Sequence, residues 1–209
     1  EELVNALSKF MNKDRSKSKK GSKTAGKERN GVTHRSNALF VENEGQRSDM
    51  PSFVACLDKQ ACLWSVDSGS DTNVVSTKYI SDNLPNWFCA GSTSNSHLTP
   101  CFDGVSDFRG DITRGVANVQ LYFRILNELP SFSLQKEGNS IALSVIIIDA
   151  SFGSFILGTP FFRLIDVRIQ FPIGTGPEGA IHWRLGNSTQ SSITIVGSVD
   201  QAAHRARVG

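Results

Sequence analysis

Trp64-Ser65-Val66-Asp67-Ser68-Gly69-Ser70-Asp71-Thr72-Asn73-Val74-Val75 sets two carboxylates and a glycine between apolar runs. An apolar, strand-like run (Ala61, Cys62, Leu63, Trp64, Val66) delivers a carboxylate, Asp67. A small hydroxyl residue and a glycine follow, and the chain turns apolar again at Val74 and Val75. Glycine permits a tight backbone turn beside the carboxylate, and the hydroxyl can bond a neighbouring group. Asp-Ser-Gly alone is a common turn sequence. It gains meaning here from its apolar flanks and from a second segment, Phe155-Ile156-Leu157-Gly158-Thr159-Pro160-Phe161-Phe162.

Phe53-Val54-Ala55-Cys56-Leu57, a polar turn at 58–60 and the run 61–66 predict a β-hairpin whose second strand ends at Asp67. Val74 and Val75 continue as a strand. Residues 76–84 predict one or two helical turns with Ser76 as N-cap, ended by Pro85 and Asn86. Residues 90–101 read as a loop. Residues 102–108 and 115–123 read as strands around Arg109-Gly110-Asp111, a triplet too short to be taken as an adhesion motif. Residues 126–140 read as a polar connection, and the β-branched run 141–148 as a buried strand. After a turn at 149–153 and the segment 155–158 come a short helix at 159–165 and strands at 167–171 and 180–185. His182 and Trp183 are expected to pack on that edge. Short strands with at most two short helices predict an all-β, barrel-like domain. Its core rests on 53–66, 116–126, 141–148 and 155–171.

The 209 residues suffice for one domain plus tails. Residues 1–50 hold eleven Lys/Arg and seven Asp/Glu, 11 − 7 = +4, and the rest 11 − 13 = −2, so the basic character belongs to the N-terminal tail. Residues 1–50 are expected to be a disordered basic linker, 51–185 the folded domain and 186–209 a flexible tail without pattern. Residues 12–37, rich in Lys, Ser and Gly, bury too little to offset their conformational entropy. Residues 13–29 are expected either to bind nucleic acid through phosphate charge or to act as a solubilising linker; no aromatics are interleaved to stack bases. Cys56, Cys62, Cys89 and Cys101 fit no zinc spacing with His34, His97, His182 or His204. They are expected to be reduced thiols, with Cys56 and Cys62 buried on strands. No metal and no cofactor is expected. No run of 18 apolar residues occurs, and the opening Glu1-Glu2-Leu3-Val4 lacks a signal core. An intracellular protein, in the cytoplasm or a virus-like particle, is expected, and the Asn187-Ser188-Thr189 sequon is expected to be idle. A start without Met is expected of a piece of a longer polypeptide.

The two quoted segments together resemble those of the retropepsins, the single-lobe aspartic proteases of retroviruses and LTR retrotransposons. Val66-Asp67-Ser68-Gly69-Ser70-Asp71 is similar to that family's Asp-Thr/Ser-Gly-Ala/Ser-Asp, and residues 155–162 to its apolar-apolar-Gly segment with a following helix. The resemblance covers roughly 51–185. It implies an aspartic endopeptidase with Asp67 catalytic, Ser68 bonded across to a second subunit and Gly69 offering its carbonyl to substrate. Asp71 would bind substrate backbone or brace the dimer. Ile156, Leu157 and Gly158 would support the loop, with Gly158 passing close behind it. It also implies a glycine-bearing flap hairpin, for which Gly104 and Gly110 are the candidate tips, Gly104 preferred. Thr159-Pro160 departs from the retroviral pattern, so Asp71 would need a partner such as Arg163 or Arg168. Ser70, where many relatives have Ala, would place a donor near the carboxylate and make the working pH more acidic.

The mechanism of this family needs two carboxylates facing one water. This chain has one Asp-Ser-Gly and is too short for two lobes, so the resemblance implies a symmetric homodimer with Asp67 of both copies on its axis. The expected substrate is a polypeptide, most simply a retroelement polyprotein. A domesticated cellular protease, or an inactive protease-like domain on a nucleic-acid-binding polyprotein, are the alternatives.

Overall fold

Order begins upstream of Pro51. Strand β1 (Thr33–Arg35) lies within the stretch expected to be disordered, and it pairs in parallel with a later strand. Its side chains supply no apolar face; backbone hydrogen bonds hold it, which a hydropathy reading does not register. The computed structural model describes residues 31–36, 50–88, 97–107, 109–127, 129–170, 180–184 and 191–194. The basic stretch 13–29, Cys89 and the sequon lie outside the described residues.

The hairpin read from the apolar runs is present as β2 (Ser52–Leu57) and β3 (Gln60–Val66), in register from Ser52 opposite Ser65 to Leu57 opposite Gln60. Asp58 and Lys59 turn with φ of 47° and 75°, the two-residue geometry that matches strand twist. The Asp58 carboxylate accepts from the Ser133 hydroxyl at 2.7 Å and the Leu134 N–H at 3.1 Å. Strand β4 (Val74–Ser76) leads into helix α1 (Thr77–Asn83), capped by Ser76, whose hydroxyl oxygen accepts from the Tyr79 N–H at 3.0 Å. Pro85 opens a 3-10 turn, Pro85–Phe88.

Strands β5 (Leu98–Pro100), β6 (Gly104–Ser106), β7 (Ile112–Leu126), β8 (Leu129–Ser133), β9 (Ile141–Ile148) and β10 (Phe155–Leu157) follow. Then come helix α2 (Thr159–Leu164) and strands β11 (Asp166–Gln170), β12 (Ala180–Arg184) and β13 (Ser191–Thr194). Three of these correct the sequence reading. The stretch 90–101, read as a loop, contains β5, paired with β7; the connection at 126–140 contains β8, pinned to β7 and β2; and the tail contains β13, paired with β12.

Strands β7-β8-β2-β3-β10-β4-β9 lie side by side, and β9 returns to pair with β7, closing a seven-stranded barrel among the described residues. Strands β11, β12 and β13 form a separate antiparallel sheet. Trp64 is fully buried and stacks between Phe132 and Phe155, with ring centroids at 3.6 and 4.3 Å. The barrel core gathers Phe53, Leu121, Phe123, Leu143, Ile147 and Phe161 around it. A second cluster (Val74, Cys101, Val105, Ile146, Ile148, Phe152, Ile156) lies on the other face of β4, β9 and β10. Coverage on both faces explains the unbroken β-branched run in β9, since alternation is needed only where one face meets water. It also ties the base of the β6–β7 hairpin to the strands carrying the 67–71 loop.

Candidate active site

Strand β3 ends at Val66, and the chain returns as β4 with the width of one strand between them. Strand β10 fills that gap, parallel to β3 (Phe155 opposite Trp64, Leu157 opposite Val66) and antiparallel to β4 (Ile156 opposite Val74). The loop 67–73 therefore spans the end of β10. The Asp67 N–H donates to the Leu157 carbonyl at 3.0 Å, and the Ser70 N–H to the Asp67 carbonyl at 3.1 Å. The Gly69 N–H donates to Asp67 Oδ1 at 2.8 Å, which orients the carboxylate. Asp67 is half-buried, whereas Ser68 and Gly69 are exposed.

The loop is clamped from behind. A Cβ at Gly158 would sit 2.3 Å from the Thr72 carbonyl oxygen and 2.7 Å from that of Ser70, so only glycine passes there. The Thr159 N–H and hydroxyl both donate to the Ser70 carbonyl, at 2.7 and 2.6 Å. The Gly158 N–H donates to Asn73 Oδ1 at 2.9 Å, and Asn73 Nδ2 donates to the Ser144 carbonyl at 3.0 Å. Asn73, 1% exposed, thus links β10 and β9 to the loop. Its only mark in the sequence is an amide directly before two valines. Thr159, a departure from the retroviral pattern, is here a brace.

Three expectations are corrected. The Ser70 side chain is fully buried and its hydroxyl donates to the Thr72 carbonyl at 2.7 Å, which commits the donor expected near Asp67 and removes the basis for a more acidic working pH. Asp71 is partnered by neither Arg163 nor Arg168 among the described residues. Its carboxylate accepts from the Arg35 N–H at 2.7 Å and lies 3.5 Å from His34 Nδ1, and its own N–H donates to the Arg35 carbonyl at 2.8 Å. Gly104 is no hairpin tip: it lies inside β6, opposite Arg114 on one side and Thr33 on the other. The tip spans 107–111, where Gly110 has φ +89° and Asp107 Oδ1 accepts from the N–H groups of Arg109 and Asp111 at 2.8 and 3.0 Å.

A cavity of about 340 Å³ is lined by His34, Asp71, Asn73 and Asp103 among others. A larger one, about 670 Å³, lies over β2, β7 and β8 and contains no residue of the 67–71 loop. Cys62 and Cys101 are buried but Cys56 is exposed, contrary to expectation, because its side chain points outward from β2. Burial pushes the Cys62 thiol up to about 12, and the Cys101 thiol and Tyr79 hydroxyl upward as well. Among the described residues no three His, Cys, Asp or Glu gather to hold a metal ion, and no helix is long and apolar enough to cross a membrane. No protein-family model matches the chain, and no curated protein matches it.

Proposed function

We propose that the chain is half of an aspartic endopeptidase, with Asp67 as its reacting carboxylate and Asp67 of a second copy completing the dyad. The observation that carries this reading is the clamped loop: an oriented, half-exposed carboxylate held from behind by Gly158, Thr159 and Asn73. Rigid support of this kind is what positions a carboxylate to within the tolerance hydrolysis demands.

In the dimer, two carboxylates about 3 Å apart cannot both ionise readily, so they share a proton. The ionised member takes a proton from a water held between them. The protonated member donates to the carbonyl oxygen of the scissile peptide, and water adds to that carbon. The resulting diol collapses as the amine leaves with a proton. No covalent intermediate forms, and the dyad titrates as a pair. Exposed Ser68 and Gly69 flank Asp67 on the side open to the second copy and to substrate. The β6–β7 hairpin, with its tip at 107–111, serves as the water-excluding cover. The substrate is a polypeptide, in the first instance a retroelement polyprotein, and the basic residues 13–29 suit a nucleic-acid partner.

The test is hydrolysis of a peptide library by the wild type and by Asp67→Asn, with and without pepstatin. The proposal expects cleavage that Asp67→Asn and pepstatin both abolish. Equal cleavage by both proteins, or none by either, would remove it.

A further inference from the structure

Strand β1 occupies a position that the barrel does not require. It is three residues long and touches the domain along two backbone edges. On one edge it runs parallel to β6: the Gly104 N–H donates to the Val32 carbonyl and the Ser36 N–H to the Ser106 carbonyl, both at 2.9 Å. On the other edge Arg35 exchanges two hydrogen bonds with Asp71, four residues beyond Asp67. The Val32 N–H is taken by Asp103 Oδ1 at 2.8 Å. Main-chain bonds on both edges are how a groove receives an extended peptide strand.

Two side-chain positions along this strand are specified. His34 stands between two carboxylates, with Nδ1 3.5 Å from Asp71 Oδ1 and Nε2 3.6 Å from Asp103 Oδ2. This pair suits a cationic side chain. At Gly31 a Cβ would lie 1.6 Å from the Phe102 carbonyl oxygen, so that position admits no side chain. Val32, by contrast, is 60% exposed and unselected.

We propose that the space between the β6 edge and Asp71 is a peptide-binding groove, and that residues 31–36 are its intramolecular occupant. The groove takes an extended strand with glycine three positions before a basic residue, which sits between Asp71 and Asp103. Incoming peptide must displace β1, so the N-terminal segment holds the site closed. This deepens the peptidase reading and rests on it for the consequence of displacement, though not for the groove.

The experiment uses full-length chain carrying Asp67→Asn, so that binding is read without hydrolysis. Arg35→Pro removes the N–H given to Asp71; Gly31→Val, at the other end, meets the Phe102 carbonyl. Either variant should bind a labelled Gly-Val-Thr-His-Arg-Ser peptide at least tenfold more tightly than the parent. Replacing the peptide's His by Lys should preserve binding, and replacing it by Glu should weaken it at least tenfold. Amide exchange at Gly104 and Asp71 should speed up, with Leu121 and Ile147 unchanged as the check that the barrel is intact. Both variants matching the parent in peptide binding, or a His-to-Glu peptide binding as well as the original, would overturn the proposal. In the Asp67-intact chain the same substitutions should raise peptide turnover several-fold. Tight binding with no turnover would keep the groove and sink the peptidase reading. Turnover without a gain on displacing β1 would keep the peptidase and sink the occupant.

Discussion

Gly158 has no room for a side chain, and what it would strike is backbone, which cannot swing aside. Gly158→Ala should cost about 3 kcal/mol, the upper end for overpacking, read by urea unfolding, and should abolish hydrolysis. Asn73→Leu should cost about 2–3 kcal/mol, because it leaves the Gly158 N–H buried without its acceptor. Ser70→Ala should remove one hydrogen bond, about 1 kcal/mol, and leave the acidic limb of the pH–rate profile in place. The place of Asp67 after a strand end and the close packing of Gly158 were legible because each is local: a carboxylate following an apolar run, and a residue with no Cβ after two apolar ones. The direction of the Ser70 hydroxyl was not, because burial against Thr72 decides it. Asp71 was misassigned for a related reason. Its partners, His34 and Arg35, lie in a stretch whose composition reads as unfolded.

At the scale of elements, legibility followed the kind of force that makes each one. The β2–β3 hairpin, β9 and β10 are built by buried apolar side chains, and the sequence displays those directly. Helix α1 was placed by its cap. Ser76 accepts from Tyr79 and donates to the Phe152 carbonyl at 2.8 Å, so Ser76→Ala should cost about 2 kcal/mol, at the high end for caps. Thermal melting of that variant checks the figure. Strands β1, β5, β8 and β13 escaped notice because each is only three to five residues long, too short to display an alternation; Phe132, which anchors β8 in the core, stands between two serines. The candidate flap misled through its glycines. Gly104 is the more prominent in sequence, but the 107–111 turn is closed by Asp107, and the hairpin register follows it.

For the whole molecule, burial of two thiols and a phenol in the folded domain makes its stability fall in base. Cys62 holds its proton to about 12, against an ordinary 9.0, because burial penalises the thiolate. The folded state therefore binds that proton more tightly than the unfolded chain. The contribution is complete below about pH 9 and is lost as pH rises toward 12. Melting temperature should fall across that window, and Cys62→Ala should flatten the fall. With a thiol reagent at neutral pH, exposed Cys56 should label quickly, and Cys62 and Cys101 slowly, as mapped by peptide mass. If each chain carries half a site, mixing subunits must show it. Wild-type chain is held at fixed concentration while an equal amount of Asp67→Asn chain is added and allowed to exchange. If two Asp67 side chains make one site, random pairing leaves about half the wild-type chains in active dimers, and hydrolysis falls roughly twofold. Hydrolysis unchanged by the added Asp67→Asn chain would mean that one Asp67 suffices and that the site is not shared between two chains.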